Sequence, residues 1–130
     1  MVANQNFDFV ISGAGLVGCL VAIQLSKIGL KCCLIEKNKI KDMPLFSNYS
    51  PLSLNYRSCL ILKKFGLWEE ILPDLYPIKN LNIKSYHSLN RLAFNAKDIN
   101  LNELGYVVDR RNLLQTFLNY IKSLSNITIF

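Results

Sequence analysis

Residues Asp8 to Glu36 read DFVISGAGLVGCLVAIQLSKIGLKCCLIE: an apolar run, a glycine-rich turn, a longer apolar periodicity and a second apolar run. Phe9, Val10 and Ile11 show no polar alternation, the pattern of a short parallel strand buried on both faces. Beyond the turn, Gly18, Ala22 and Leu25 recur at helical spacing, which predicts a helix that packs this face on a sheet. Gly29 ends that helix at C′, where a left-handed backbone costs glycine little. Lys31 to Ile35 predicts a second strand, which ends in Glu36.

Further along, Asn38 to Pro51 is polar, carries two prolines and shows no period, so it reads as a surface loop. Leu52 to Leu62 predicts a helix, with Leu54, Ser58 and Leu62 on one face, Leu60 and Ile61 broadening it, and Gly66 as its stop. Leu67, Trp68, Ile71 and Leu72 form a second short helical turn that Pro73 and Asp74 end, with Trp68 packing in the core. Lys79 to Ser85 alternates through Leu81, Ile83 and Tyr86 and predicts a strand. A turn at Ser88 to Asn90 returns it to Arg91 to Asn95 as a hairpin, with His87 a solvated polar residue at its end. Tyr106 to Val108 is a short apolar strand, and Asp109 is placed to N-cap a helix from Arg110 whose buried stripe is Leu114, Leu118 and Ile121 with Phe117. Ser123 to Asn126 makes a turn, and Ile127 to Phe130 begins another strand. The pattern is that of an α/β fold, a βαβ unit with an added β-hairpin.

At 130 residues and 51% hydrophobic, the chain has the length and core material of one domain. A net charge of +6 raises the question of a nucleic-acid partner, but the basic residues are scattered, and only Lys37 to Lys41 is locally dense, as in a solvated loop. The cysteines Cys19, Cys32, Cys33 and Cys59 contain no C-x-x-C, Cys32 and Cys33 would point to opposite faces of a strand, and His87 is the single histidine. Buried reduced thiols in a cytoplasmic protein fit better than zinc ligands. The apolar stretch Phe9 to Ile23 lacks a positively charged flank, follows Asp8 and is broken by three glycines, unlike a secretion signal or a membrane span.

Gly13, Gly15 and Gly18 stand at the G-x-G-x-x-G spacing between the first strand and the helix. The first glycine serves the tight turn, the second lets a pyrophosphate approach the backbone, and the third lets helix and strand pack closely. The helix start then directs free N–H groups and a positive dipole end at the phosphates. An acid at the end of the second strand accepts from a ribose 2′-OH and repels a 2′-phosphate, so Glu36 indicates FAD or NAD. The candidate cofactor-binding residues are Gly13, Ala14, Gly15, Leu16, Val17, Gly18, Glu36 and Lys37; no catalytic side chain stands out.

The first 36 residues, with GAGLVG and the distal Glu36, resemble the FAD-binding start of the glutathione-reductase-like flavoproteins. SLNYRSCLILKKFGLW, PIKNLNIKSYHS and LGYVVDRRNLLQTFL resemble the ubiquinone-biosynthesis hydroxylases among the class A aromatic monooxygenases. The resemblance implies a Rossmann-like FAD-binding domain in an enzyme that takes electrons from NAD(P)H and, with oxygen, hydroxylates a polyprenylated phenol. It also implies that Arg111 lies on the flavin side of the cofactor, and that the lipid-tailed substrate brings the protein to the inner membrane peripherally. Two departures are visible. Tyr49 or Ser50 stands where the family has an arginine, and the family's later Asp-Gly and Gly-Asp flavin motifs would fall beyond residue 130. The chain is thus expected to be the N-terminal third of such an enzyme, truncated or completed by a second polypeptide. An NAD-binding module of another oxidoreductase and a non-catalytic remnant or interaction protein are the alternatives.

Overall fold

The first predicted strand forms as β1 (Phe9–Ser12), and the helix after the glycines as α1 (Leu16–Lys27). In this computed structural model, residues 6–37, 50–85 and 91–130 are described. They fall into two units, one built from the residues up to Tyr49 together with Arg111–Phe130, the other from Ser50–Arg110.

In the first unit β1 runs parallel to β2 (Cys32–Ile35), with Phe9 opposite Cys32 and Ser12 opposite Ile35. The last strand, labelled β8 (Ile127–Ile129), lies parallel on the other side of β2 and gives the order β1-β2-β8. The central position of β2 explains why Cys32 and Cys33, on opposite faces, are both buried. Helix α1 buries Cys19, Ala22, Ile23 and Ser26. Ala22 is on the expected face, but that face is turned toward Cys19 and Ile23, leaving Leu25 half-buried. Gly29 takes φ +85° as expected, and the bonds Gly29 N–H to Ser26 O and Leu30 N–H to Leu25 O complete a Schellman ending.

One expectation for this unit fails. Phe9 is 47% and Val10 63% exposed, so β1 is not buried on both faces. Among the described residues it pairs with β2 alone, and an edge strand keeps an uncovered side. A polar tie absent from the apolar pattern joins the end of α1 to the turn before β8. The Asn126 amide donates to the carbonyls of Ser26 and Leu30, and the Ser26 hydroxyl donates to Asn126 Oδ1.

The second unit is antiparallel. Strand β3 (Pro51–Asn55) and the three-residue β4 (Tyr76–Ile78) flank β7 (Gly105–Asp109). Residues 52–55 were expected to be helical, and Pro51 to lie in a loop; instead they pair with β7 from Pro51 opposite Asp109 to Asn55 opposite Gly105. The helix α2 (Tyr56–Lys64) begins only after Asn55, whose side chain accepts from Ser58 N–H at 2.9 Å as N-cap. Gly66, at φ +72°, follows this helix as its stop. The short α3 (Trp68–Ile71) runs into a 3₁₀ turn over Leu72–Asp74.

The hairpin is present as β5 (Asn80–Lys84) and β6 (Arg91–Asn95). Leu81 faces Phe94 and Ile83 faces Leu92, forming one apolar side that is about half exposed. His87, Tyr86, the turn at 88–90 and the loop at 38–49 lie outside the described residues. Trp68 is buried, as expected, and meets Tyr106 edge to face at 5.3 Å. Burial, helped by a hydrogen bond to Glu103 and its charge, pushes the Tyr106 hydroxyl up to about 12.

Helix α4 (Arg110–Lys122) follows directly on Asp109. It buries Leu113, Phe117, Leu118 and Ile121, with Leu113 in place of the expected Leu114, which is half-buried.

Candidate functional site

The turn between β1 and α1 is built almost entirely from backbone. Gly13 has φ +96°, a region L side chains rarely adopt, and its N–H donates to Ile35 O at 2.7 Å, tying the turn to the end of β2. Gly18 approaches so closely that a Cβ placed on it would collide with the Gly13 carbonyl oxygen. A Cβ on Gly15, by contrast, would meet no heavy atom within 4 Å. The three glycines therefore differ in kind: Gly13 for backbone conformation, Gly18 for packing, and Gly15 beside open space.

Gly15 is the N-cap residue of α1 and makes no side-chain cap. The first helical bond is donated by Cys19 N–H to Gly15 O at 2.9 Å, so the N–H groups of Leu16, Val17 and Gly18 precede any helical acceptor. No acidic residue stands in this first turn to compete for them. Open space at a glycine beside a helix N-terminus suits a pyrophosphate, and the residues present fit the adenine-dinucleotide expectation on those grounds.

Glu36 follows β2 immediately and is half-buried. It reaches back to the turn, where its Oε2 accepts from Ala14 N–H at 2.8 Å. The structure thus brings Gly13, Ala14, Gly15, Leu16, Val17, Gly18 and Glu36 into one cluster. Lys37 is exposed just past it, and Arg111 is half-buried in the first turn of α4. Sequence reasoning missed Cys19 here. Its thiol is fully buried and donates to Ala14 O at 3.3 Å, and burial, with the charge of Glu36 second, pushes its pKa up to about 12. Only its place one helical step after Gly18 could have drawn attention to it.

A separate cavity of about 670 Å³ lies in the second unit, lined by Pro77, Lys79, Lys97, Glu103 and Tyr106 among others, and contains none of the expected site residues.

No family model matches the chain. It is 26% identical over 129 residues to the ubiquinone hydroxylase UbiM of Neisseria meningitidis, covering 94% of this chain and 28% of that protein. In sequence, the chain resembles a ubiquinone hydroxylase. It is also 25% identical over 129 residues to the uncharacterized protein slr1300 of Synechocystis sp., covering 99% of this chain and 31% of that protein. The chain therefore spans about a third of the length of these curated relatives. Its fold is shared with pqsL, a probable FAD-dependent monooxygenase from Pseudomonas aeruginosa, at a TM-score of 0.72 and 15% identity over 97% of this chain and 33% of that one. Among the described residues no helix is long and apolar enough to cross a membrane.

Proposed function

We propose that the chain is the FAD-binding segment of a flavin-dependent monooxygenase that hydroxylates a polyprenylated aromatic ring in ubiquinone biosynthesis. Its cofactor-binding domain, over residues 1–130, is a Rossmann-like βαβ unit of the glutathione-reductase type. The observation that carries this reading is the closure of the glycine turn on Glu36, with Ala14 N–H 2.8 Å from the carboxylate and open space beside Gly15. The likeness to the ubiquinone hydroxylase UbiM supports a ring hydroxylation, and the fold shared with pqsL, a probable FAD-dependent monooxygenase, supports FAD over NAD.

Bound FAD supplies the redox chemistry, with NAD(P)H as electron donor. The chain's own contribution is binding and orientation. The N–H groups of Leu16, Val17 and Gly18 take the pyrophosphate, and Gly15 gives it room. Glu36 accepts from the adenosine ribose, Lys37 borders that end, and Arg111 lies on the flavin side. Substrate contacts and the remaining flavin contacts correspond in this proposal to the part of the relatives' length that these 130 residues do not cover. The protein works in the cytoplasm, peripherally at the inner membrane where its lipid-tailed substrate resides.

The purified chain is expected to show the yellow absorbance of bound flavin, or to acquire it on adding FAD. Uptake of NAD alone would instead make it a dehydrogenase module, and uptake of neither would make it a non-catalytic remnant or interaction protein. Glu36→Ala is expected to weaken FAD binding about tenfold or more, the weight of a hydrogen bond to a charged group; an unchanged dissociation constant would remove the ribose contact from the proposal.

A further inference from the structure

We propose that Glu36 and Cys19 jointly pin Ala14 and so set the shape of the cradle before any cofactor arrives, which makes Cys19 a positioning residue for cofactor affinity. Ala14 lies between Gly13 and Gly15, the two most conformationally permissive neighbours a residue can have. A turn of that composition has much backbone freedom to lose, and a cradle made of N–H groups binds only when they converge. Two bonds remove that freedom at its centre. On one side Ala14 N–H donates to Glu36 Oε2 at 2.8 Å; on the other the Cys19 thiol donates to Ala14 O at 3.3 Å. Each acts on a different peptide plane, one joining Gly13 to Ala14 and the other joining Ala14 to Gly15.

The packing agrees with this role. Ala14 and Cys19 are both fully buried, which keeps water from the thiol bond, while the bond to the half-buried Glu36 is part-buried. The thiol keeps its proton through the physiological range and remains a donor, because burial and the neighbouring carboxylate both oppose the thiolate. The two latches come from different elements, Cys19 from α1 and Glu36 from the end of β2. The turn is therefore referenced to the helix that presents the free N–H groups and to the strand that presents the acid. Glu36 acts on the cofactor site twice, through the turn and through the ribose contact. That second action rests on the FAD reading, whereas the pinning of Ala14 does not.

Amide exchange of the isotope-labelled, cofactor-free chain reads the pinning directly. Ala14 N–H is expected to be protected in the wild type, to exchange at least about tenfold faster in Glu36→Ala, and to keep its protection in Glu36→Gln, whose amide oxygen still accepts. Equal exchange at Ala14 in the wild type and Glu36→Ala would overturn the inference. A second arm measures FAD affinity and melting temperature together in Cys19→Ser and Cys19→Ala. Serine still donates to Ala14 O and is expected to stay close to wild-type affinity, while alanine loses about fivefold, the weight of one hydrogen bond. Melting temperature should fall in both variants, because each leaves space where the fully buried sulfur packs, so stability alone would not spare the serine variant's affinity. Affinities that follow the melting temperatures would reduce Cys19 to a packing residue and overturn its positioning role. If the wild type takes up no FAD, the proposed function fails, and the exchange arm still decides whether Ala14 is pinned.

Discussion

A side chain at Gly15 would have room in the cofactor-free chain, since its Cβ meets nothing within 4 Å and its φ of −74° suits any residue. Gly15→Val is therefore expected to fold with a stability within about 1 kcal/mol of wild type, the cost of a β-branched residue at a helix start, yet to lose FAD binding because the valine occupies the pyrophosphate's place. Gly18 behaves oppositely. A Cβ there runs into the Gly13 carbonyl oxygen, a backbone atom that cannot swing aside. Gly18→Val is expected to lower stability by roughly 1–3 kcal/mol, as overpacking does, measured by urea unfolding. Equal unfolding midpoints for the two variants would contradict the separate roles of these glycines. The difference decides how the motif is read, because of these two glycines only Gly15 reports directly on a ligand.

The elements most legible in the chain are those whose information is local. The glycine spacing, the C′ glycine after α1 and the alternation of β5 and β6 each depend on neighbours within a few residues, and all appear where expected. Residues 52–55 do not, because Leu54, Ser58 and Leu62 happen to satisfy helical spacing while the strand partner of Leu54 is Tyr106, far along the chain. Pairing at that distance leaves no periodic mark. The strand β4 is similarly silent, being three residues long and containing Pro77. The boundary between β3 and α2 rests on Asn55, whose side chain holds the Ser58 N–H. Asn55→Ala is expected to cost about 1 kcal/mol as a lost N-cap, read as a lower thermal midpoint, whereas Asn55→Asp should keep most of it. A destabilised Asn55→Asp would count against the cap.

At the scale of the whole molecule, acids whose ionisation folding opposes leave a signature in pH. Buried Cys19 and half-buried Tyr106 are shifted furthest, and Cys32 and Cys59 are shifted in the same direction. The folded chain raises Cys19 from 9.0 to about 12 and Tyr106 from 10.0 to about 12. Above pH 9 the unfolded thiol releases its proton while the folded one retains it, so the unfolded state binds fewer protons and stability falls as pH rises. Tyr106 adds to that fall above pH 10. Stability from these groups is fully present below pH 9 and is lost progressively toward pH 12, and Cys19→Ala is expected to flatten the first part of the decline in denaturant midpoints measured from pH 8 to 11. An unchanged slope would mean that Cys19 ionises normally in the folded chain. The relatives supply the wider frame: the chain matches about a third of their length, and that third contains the glycine turn, Glu36 and Arg111. The cofactor turn is thus legible from sequence, while the lock on Ala14 emerges only when Cys19 and Glu36 meet in three dimensions. The most direct measurement is an equilibrium titration of the folded chain with FAD and, separately, with NAD, followed by flavin fluorescence and by calorimetry. Saturable FAD binding that Gly15→Val abolishes is the expected result; saturable NAD binding without FAD, or no binding of either, would contradict the assignment.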